Sequence, residues 1–154
     1  MPKKAAYMRF ALGLVLLTSC SPGKTYLEGV EVPIEEMNVD LNLYAPPEAN
    51  TWTMGDSVRI VIENTSSQPI SFANDFGIHL YRKIDGSWAQ INNNFGYPDG
   101  DVILLPKAEE FLGGKIIVVL PEVLVAEPTE VRIVVVGRAQ NRPVAGFIDV
   151  TLNP

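Results

Sequence analysis

Few side chains of this sequence are suited to chemistry. His79 is the only histidine and Cys20 the only cysteine among 154 residues. A histidine that activates a nucleophile needs a positioned serine or cysteine, and a zinc or copper site needs several His or Cys ligands. His79 alternates with Ile78 and Leu80, so we expect it on the face of a strand opposite to a buried apolar stripe. The sequence therefore predicts a protein that is not an enzyme and that holds no metal and no cofactor.

Polar residues concentrate in one segment, 92–101. It contains Asn92-Asn93-Asn94 and Asp99-Gly100-Asp101. Amide and carboxylate oxygens of this kind suit calcium, but their spacing matches no calcium loop. Asn, Asp and Gly are also the residues that turns require. We therefore favour turn formation over a calcium site.

The same segment carries two aromatic side chains, Phe95 and Tyr97. Aromatic rings on a long loop stack on sugars or anchor a protein partner, or else fold back and cap the end of a domain. We expect this loop to contribute to a partner site in which Phe95 and Tyr97 are the anchors. The groups that orient the partner would be Asn93, Asp99 and Asp101.

The N-terminus has the pattern of an export signal. Lys3, Lys4 and Arg9 precede residues 10–17, an uninterrupted run of apolar residues and glycine. This run is too short to span a bilayer and ends in small residues, as a cleaved signal does. An ordinary cleaved signal, with Cys20 as an incidental thiol, is the alternative to the interpretation that follows.

Leu17-Thr18-Ser19-Cys20 resembles the lipobox of bacterial lipoproteins. The resemblance implies cleavage between Ser19 and Cys20 and a diacylglycerol and palmitate on Cys20, which would anchor the protein to the extracytoplasmic side of the cell membrane or of an outer membrane. A lone cysteine fits this expectation, because an exported domain that relied on disulfides would carry an even number.

Charge limits the partners of the mature chain. Removal of residues 1–19 takes away three of the twelve Lys and Arg and none of the eighteen Asp and Glu, which leaves a formal charge of −9. Nucleic acid and anionic headgroups both need clustered basic residues. We therefore expect no nucleic-acid partner and expect the lipid on Cys20 to provide the membrane contact.

Three segments follow from the pattern along the chain: a signal peptide at 1–19, a flexible tether at 20–36 and one domain at 37–154. Pro and Glu are frequent in the tether, although Val30, Val32 and Ile34 alternate and leave an edge strand open there. In the domain, apolar residues alternate with polar ones, which predicts strands with one buried face. These strands are expected at 37–43, 57–63, 70–72, 76–80, 102–105, 115–120, 131–136 and 147–152.

Turn signals separate these strands. Asp85-Gly86 lies between two strand-like runs and predicts a tight hairpin, whereas residues 109–112 could form one short helical turn. About nine short strands in one domain predict an all-β fold, an antiparallel β-sandwich of immunoglobulin type. A closed barrel is the alternative.

Residues 64–88 resemble a bacterial immunoglobulin-like domain family. The resemblance rests on Asn64-Thr65-Ser66, on Ile70 and Phe72, and on Asp85-Gly86-Ser87-Trp88. It is weaker further on, where Pro106-Lys107 replaces the family's Pro-Gly. The resemblance implies the fold and supplies no catalytic residues.

These observations together predict a lipid-anchored, non-enzymatic envelope lipoprotein that presents one immunoglobulin-like binding or assembly module. It would be a monomer whose partner is an envelope protein or a glycan. The alternative is an exported inhibitor or a small-solute or carbohydrate-binding protein that uses the end loops of the sandwich.

Overall fold

The computed structural model describes residues 23–45, 51–53, 57–73, 77–91, 102–106, 109–110, 117–119 and 125–154; at 57–59, 109–110 and 117–119 it describes the backbone alone. The predicted signal peptide and Cys20 lie outside the described residues. The described elements are a 3₁₀ turn at Ile34–Glu36 and twelve strands. The strands are β1 Leu41–Tyr44, β2 Thr51–Thr53, β3 Ser57–Arg59, β4 Val61–Asn64, β5 Ile70–Phe72, β6 Ile78–Ile84, β7 Ser87–Ile91, β8 Val102–Leu104, β9 Glu109–Glu110, β10 Ile117–Val119, β11 Thr129–Ala139 and β12 Arg142–Asn153.

The largest sheet is built around the long hairpin β11–β12. On its other edge β11 pairs first with β6, from Val131 to Val135, and then with β5, at Arg138 and Ala139. β7 extends the sheet beyond β6, and β8 extends it beyond β5. β1, β4 and β9 form a second sheet, and β10 pairs with β3. All of these pairs are antiparallel, whereas β12 and β2 run parallel, so the predicted antiparallel sandwich needs this one correction.

Alternation along the strands creates the main core. Leu41, Leu43 and Ile62 from the smaller sheet pack against one face of the large sheet. That face contributes alternate residues of each strand, among them Leu80, Ile133 and Val150. Burying an aliphatic side chain stabilises the fold by about 1.5–3 kcal/mol. The prediction of an all-β sandwich is confirmed.

The opposite face of the large sheet is also covered, by residues 27–37. Leu27, Val30, Val32 and Met37 are buried there against an apolar patch of the sheet. The patch consists of Tyr81, Val134 and Ala145, with Trp88, Val136 and Phe147 partly buried around it. The sequence predicted a flexible tether up to residue 36, but from Leu27 onward this segment is part of the folded domain. We call residues 24–37 the cap.

Polar contacts hold the cap in place. The Tyr81 hydroxyl donates to the Glu28 carbonyl at 2.5 Å, and the Ile34 N–H donates to the Thr25 carbonyl at 2.8 Å. Asn38, which has a positive φ of 60°, ends the cap. Its side-chain oxygen accepts the Phe147 N–H at 2.7 Å. The cap is therefore bonded to β6 at one end and to β12 at the other.

Three local predictions need correction. Met37 and Val39 were expected in one strand with Leu41, but β1 begins at Leu41, Met37 belongs to the cap core and Val39 is exposed. The reversal at Asn38 interrupts the alternation. The predicted strand 57–63 is broken at Ile60 into β3 and β4. Residues 109–110, predicted as part of a helical turn, form a short strand beside β4.

The predicted turn at Asp85-Gly86 is present, and a second turn follows Asn64. Asp85 and Gly86 have φ values of 49° and 81°, so they form the two-residue turn between β6 and β7. Asn64 is fully buried at the end of β4. Its amide donates to the Gln68 and Leu104 carbonyls, at 2.8 and 2.9 Å, and its oxygen accepts the Ser66 N–H at 3.0 Å. The Asn64 side chain thus provides hydrogen bonds to backbone groups that have no backbone partner in the turn.

Candidate functional site

The residues proposed for the partner site lie outside the described residues. This applies to Asn93, Phe95, Tyr97, Asp99 and Asp101, and equally to Ser19 and Cys20 at the predicted lipidation site. The structure gives the two ends of the 92–101 segment. Ile91 ends β7 opposite Leu80, and Val102 begins β8 opposite Phe72. Both ends therefore belong to the large sheet, on the side of β11 that pairs with β5 and β6.

A cleft lies on this side of the large sheet, where β11 changes partners. β6 pairs with β11 only up to Val135 and β5 pairs from Arg138, so Val136 and Gly137 lie between the two ladders. Here the Val136 N–H donates to the Gly77 carbonyl at 3.0 Å. The cleft has a volume of about 500 Å³. We call it the junction cleft; its lining is Ser71, Phe72, Ala73, Gly77, His79, Val136, Gly137 and Arg138.

The junction cleft combines an apolar wall with the polar side chains of Ser71, His79 and Arg138. His79 Nδ1 lies 3.4 Å from the Gln90 amide nitrogen, and its ring packs beside Gly29 of the cap. The Arg138 side chain is 58% exposed and lies 3.7 Å from the Glu31 carboxylate. His79 is on the face opposite to Ile78 and Leu80, as predicted. An apolar wall beside an imidazole and a guanidinium suits binding of a small polar solute.

A second cluster on the same face is centred on Arg132. Its guanidinium lies between two rings, 4.3 Å from the centroid of Trp88 and 3.9 Å from that of Phe147. Two parallel hydrogen bonds of 2.7 Å join it to the Asp149 carboxylate. Cation–π stacking and a bidentate ion pair together hold the Arg132 side chain, which is 8% exposed as a residue.

Sequence reasoning missed this Arg132 cluster. Arg132 and Asp149 face each other because β11 and β12 form one hairpin that turns at residues 140–141. Gln140 occupies this turn with a positive φ of 57°, which glycine or asparagine usually adopts. Asn141 was the available turn signal, and pairing the strands about it would have placed Arg132 opposite Asp149. Trp88, which belongs to strand β7, is half-buried on the outer face of the large sheet.

Shifted pKa values occur in the cap and on β6 beneath it. Burial raises the pKa of Tyr81 to about 12, with a smaller contribution from the charge of Glu28. Backbone N–H groups of Glu35 and Thr25 lower the pKa of the Glu35 carboxyl. Deprotonating Tyr81 would therefore disrupt the cap, whereas ionised Glu35 is bonded within it.

The described residues contain no cluster of three His, Cys, Asp or Glu that could hold a metal ion. In the same part of the chain, no helix has the length and apolar character that a membrane span needs. No family model, no curated protein and no solved structure matches this chain.

Proposed function

We propose that this protein is a lipid-anchored envelope lipoprotein that presents a β-sandwich as a binding or assembly module and is not an enzyme. The observation that carries the proposal is the lipobox-like run that ends in Cys20, followed almost at once by folded chain. The partner would be an envelope protein or a glycan. We assign the sandwich to the immunoglobulin-like type because the resembling residues 64–88 span β4–β7, and we expect a monomer.

Few residues separate Cys20 from the cap. The Thr25 N–H is already bonded to the Glu35 carboxylate, at 3.2 Å to each oxygen. A fully extended chain spans about 3.3–3.6 Å per residue, so Thr25 would lie within about 18 Å of an acylated Cys20. Two or more acyl chains make release from a bilayer negligible. The module would thus be held close to the membrane surface.

Substitution of Cys20 tests the anchor. Cys20→Ala should move the protein from the membrane fraction to the soluble fraction and abolish incorporation of labelled palmitate. Ser19→Ala is the matched control, because it keeps a small residue before the cysteine and should remain membrane-bound and labelled. A wild-type protein that takes up no palmitate, together with a Cys20→Ala variant that stays in the membrane, would show that the anchor proposal is wrong.

The junction cleft favours a second candidate function, binding of a small solute or carbohydrate. Ala73→Arg would place a long side chain in the cleft, and Ile103→Arg on exposed β8 is its control. Under this alternative, saturation-transfer NMR should detect monosaccharide binding to wild type and Ile103→Arg but not to Ala73→Arg. Equal signals from both variants would exclude the cleft as the site.

The 92–101 segment has its own test. Phe95→Ser combined with Tyr97→Ser should abolish capture of envelope components while leaving the melting temperature nearly unchanged. A large loss of stability would instead show that the two rings are buried against the end of the sandwich. Added calcium should leave the melting temperature unchanged if turn chemistry is the correct account of this segment.

A further inference from the structure

Arg82 is a cation on the inward-facing side of the large sheet. Alternation along β6 places it on the same side as Ile78 and Leu80, which belong to the main core. Its register partners are Val131 on β11 and Ala89 on β7. Its Nε atom is buried and has no hydrogen-bond partner among the described residues. A buried N–H group without an acceptor costs about 1–3 kcal/mol, and more on a charged group.

A cleft of about 280 Å³ lies at Arg82. It is formed between the end of the β6–β7 hairpin and the segment 125–129 that leads into β11. Ile84, Val125 and Ala126 contribute apolar surface, and Thr129 contributes a hydroxyl that donates to the Glu127 carbonyl at 3.0 Å. A small ligand that entered this cleft would meet the guanidinium of Arg82.

Neighbouring cations on β6 and β11 differ from Arg82 because each has a carboxylate partner. Lys83 is paired with Glu130, and Arg132 is paired with Asp149. No ion pair with a described residue involves Arg82, although Asp85 and Glu127 also line the cleft. Within the described part of the chain, the guanidinium in this cleft therefore has no oxyanion partner.

We propose that this cleft binds a carboxylate that carries a small aliphatic group, through Arg82. Guanidinium groups bind carboxylates and phosphates with paired N–H donors. Lys83 also lines the cleft, but its charge is already paired with Glu130. The carboxylates of Asp85 and Glu127 would therefore repel a doubly charged phosphate more strongly than a singly charged carboxylate. The aliphatic group would contact Ile84, Val125 and Ala126. This proposal uses only described residues and does not depend on the lipid anchor.

Two sources could supply such a carboxylate, a free aliphatic acid or the C-terminus of a peptide ending in an aliphatic residue. NMR of the arginine Nε–Hε groups of the mature protein in detergent detects either one. The Arg82 resonance, assigned by its loss in Arg82→Gln, should shift saturably with butyrate and not with butyramide, which has the same shape and no charge. A short peptide ending in valine, compared with its C-terminal amide, tests the second source.

Variants give an independent measurement. Arg82→Gln should weaken butyrate binding, measured by calorimetry, by about tenfold or more, because a charge-assisted hydrogen bond is lost. Arg142→Gln, which removes an exposed guanidinium paired with Asp40, should leave binding unchanged. Equal shifts with butyrate and butyramide would overturn the proposal, and so would stronger binding of phosphate than of butyrate. Where Arg82→Gln does not fold, sequential backbone-to-side-chain assignment of the wild-type protein identifies the Arg82 resonance, and its response to butyrate and butyramide decides the question.

Discussion

At the scale of single residues, charged side chains on the outer face of the large sheet contribute to stability when aromatic rings and hydrogen bonds hold them in place. Arg132 illustrates this, because Trp88 and Phe147 cover its two faces while Asp149 occupies its edge. An exposed pair such as Arg142–Asp40 has similar contact distances but no such surroundings. The energetic difference between the two pairs should therefore come from burial and stacking.

We expect Arg132→Ala to lower the free energy of unfolding by about 2–4 kcal/mol, because it removes a buried side chain and its stacking on both rings, together with the bidentate bond to Asp149. Arg142→Ala should cost less than about 1 kcal/mol, as exposed pairs do. Urea unfolding of the two variants measures the difference. Equal midpoints would show that the Arg132 cluster contributes no more than a surface ion pair.

Tyr81 predicts a dependence of stability on alkaline pH. Its pKa is raised from 10.0 to about 12 in the folded protein, so folding favours the protonated phenol. The resulting stability is fully present below pH 10, is lost as the pH rises towards 12, and amounts to about 1 kcal/mol lost at pH 11. Tyr81→Phe should be less stable at pH 8, because the bond to the Glu28 carbonyl is missing, and should lose less stability between pH 8 and pH 11. An identical loss in both proteins would contradict the assignment.

At the scale of elements, the cap has a role that the sequence alone did not predict. It closes the second face of a sheet whose strands carry apolar residues on both sides. A sheet with two apolar faces needs two covering layers. The smaller sheet provides one layer and the cap provides the other.

Deletion of the cap should therefore weaken the domain. We expect the segment 37–154 to unfold with about 2–5 kcal/mol less stability than 23–154, because it loses the burial of Leu27, Val30 and Val32, partly offset by the entropy of ordering the cap. Leu27→Ala in 23–154 should reproduce part of the loss, and Tyr26→Ala, at an exposed neighbour, should not. Equal denaturation midpoints for the two segments would show that the cap contributes no stability and acts as a tether.

At the scale of the whole molecule, distant parts of the chain form the large sheet. Thr51 pairs with Thr151, and Leu80 pairs with Ile133. Only the β6–β7 and β11–β12 hairpins of this sheet are local in sequence. The loop-closure entropy of the other pairings must be overcome before their contacts stabilise the fold.

Folding should consequently be slow for a domain of this size. We expect the main refolding phase of 23–154 to lie in the millisecond-to-second range, measured by stopped-flow fluorescence of its tryptophans. A main phase faster than a millisecond would show that local hairpins, and not distant pairings, limit the rate.

A substitution that loosens the local β6–β7 turn, such as Gly86→Val at a φ of 81°, should reduce stability.

The sequence by itself determined the elements whose signals lie within a short stretch of chain. Alternating apolar residues predicted β5 and β6, and short apolar runs predicted β11 and β12. Asp85-Gly86 predicted the turn between β6 and β7, because this signal depends on backbone conformation alone. The sandwich class follows from the same signals. The proposals of an export signal and of a lipid anchor likewise rest on the sequence alone.

Only the tertiary structure decided what lies against each face. Val30 and Val32 have the same alternation in a tether, an edge strand or a cap, and the apolar patch at Tyr81 and Val134 makes them a cap. Arg132 acquires its partners from a hairpin register, and Arg82 becomes a candidate binding group because no described acceptor reaches its Nε atom. Burial and pairing join residues far apart in the chain, so local pattern does not contain them.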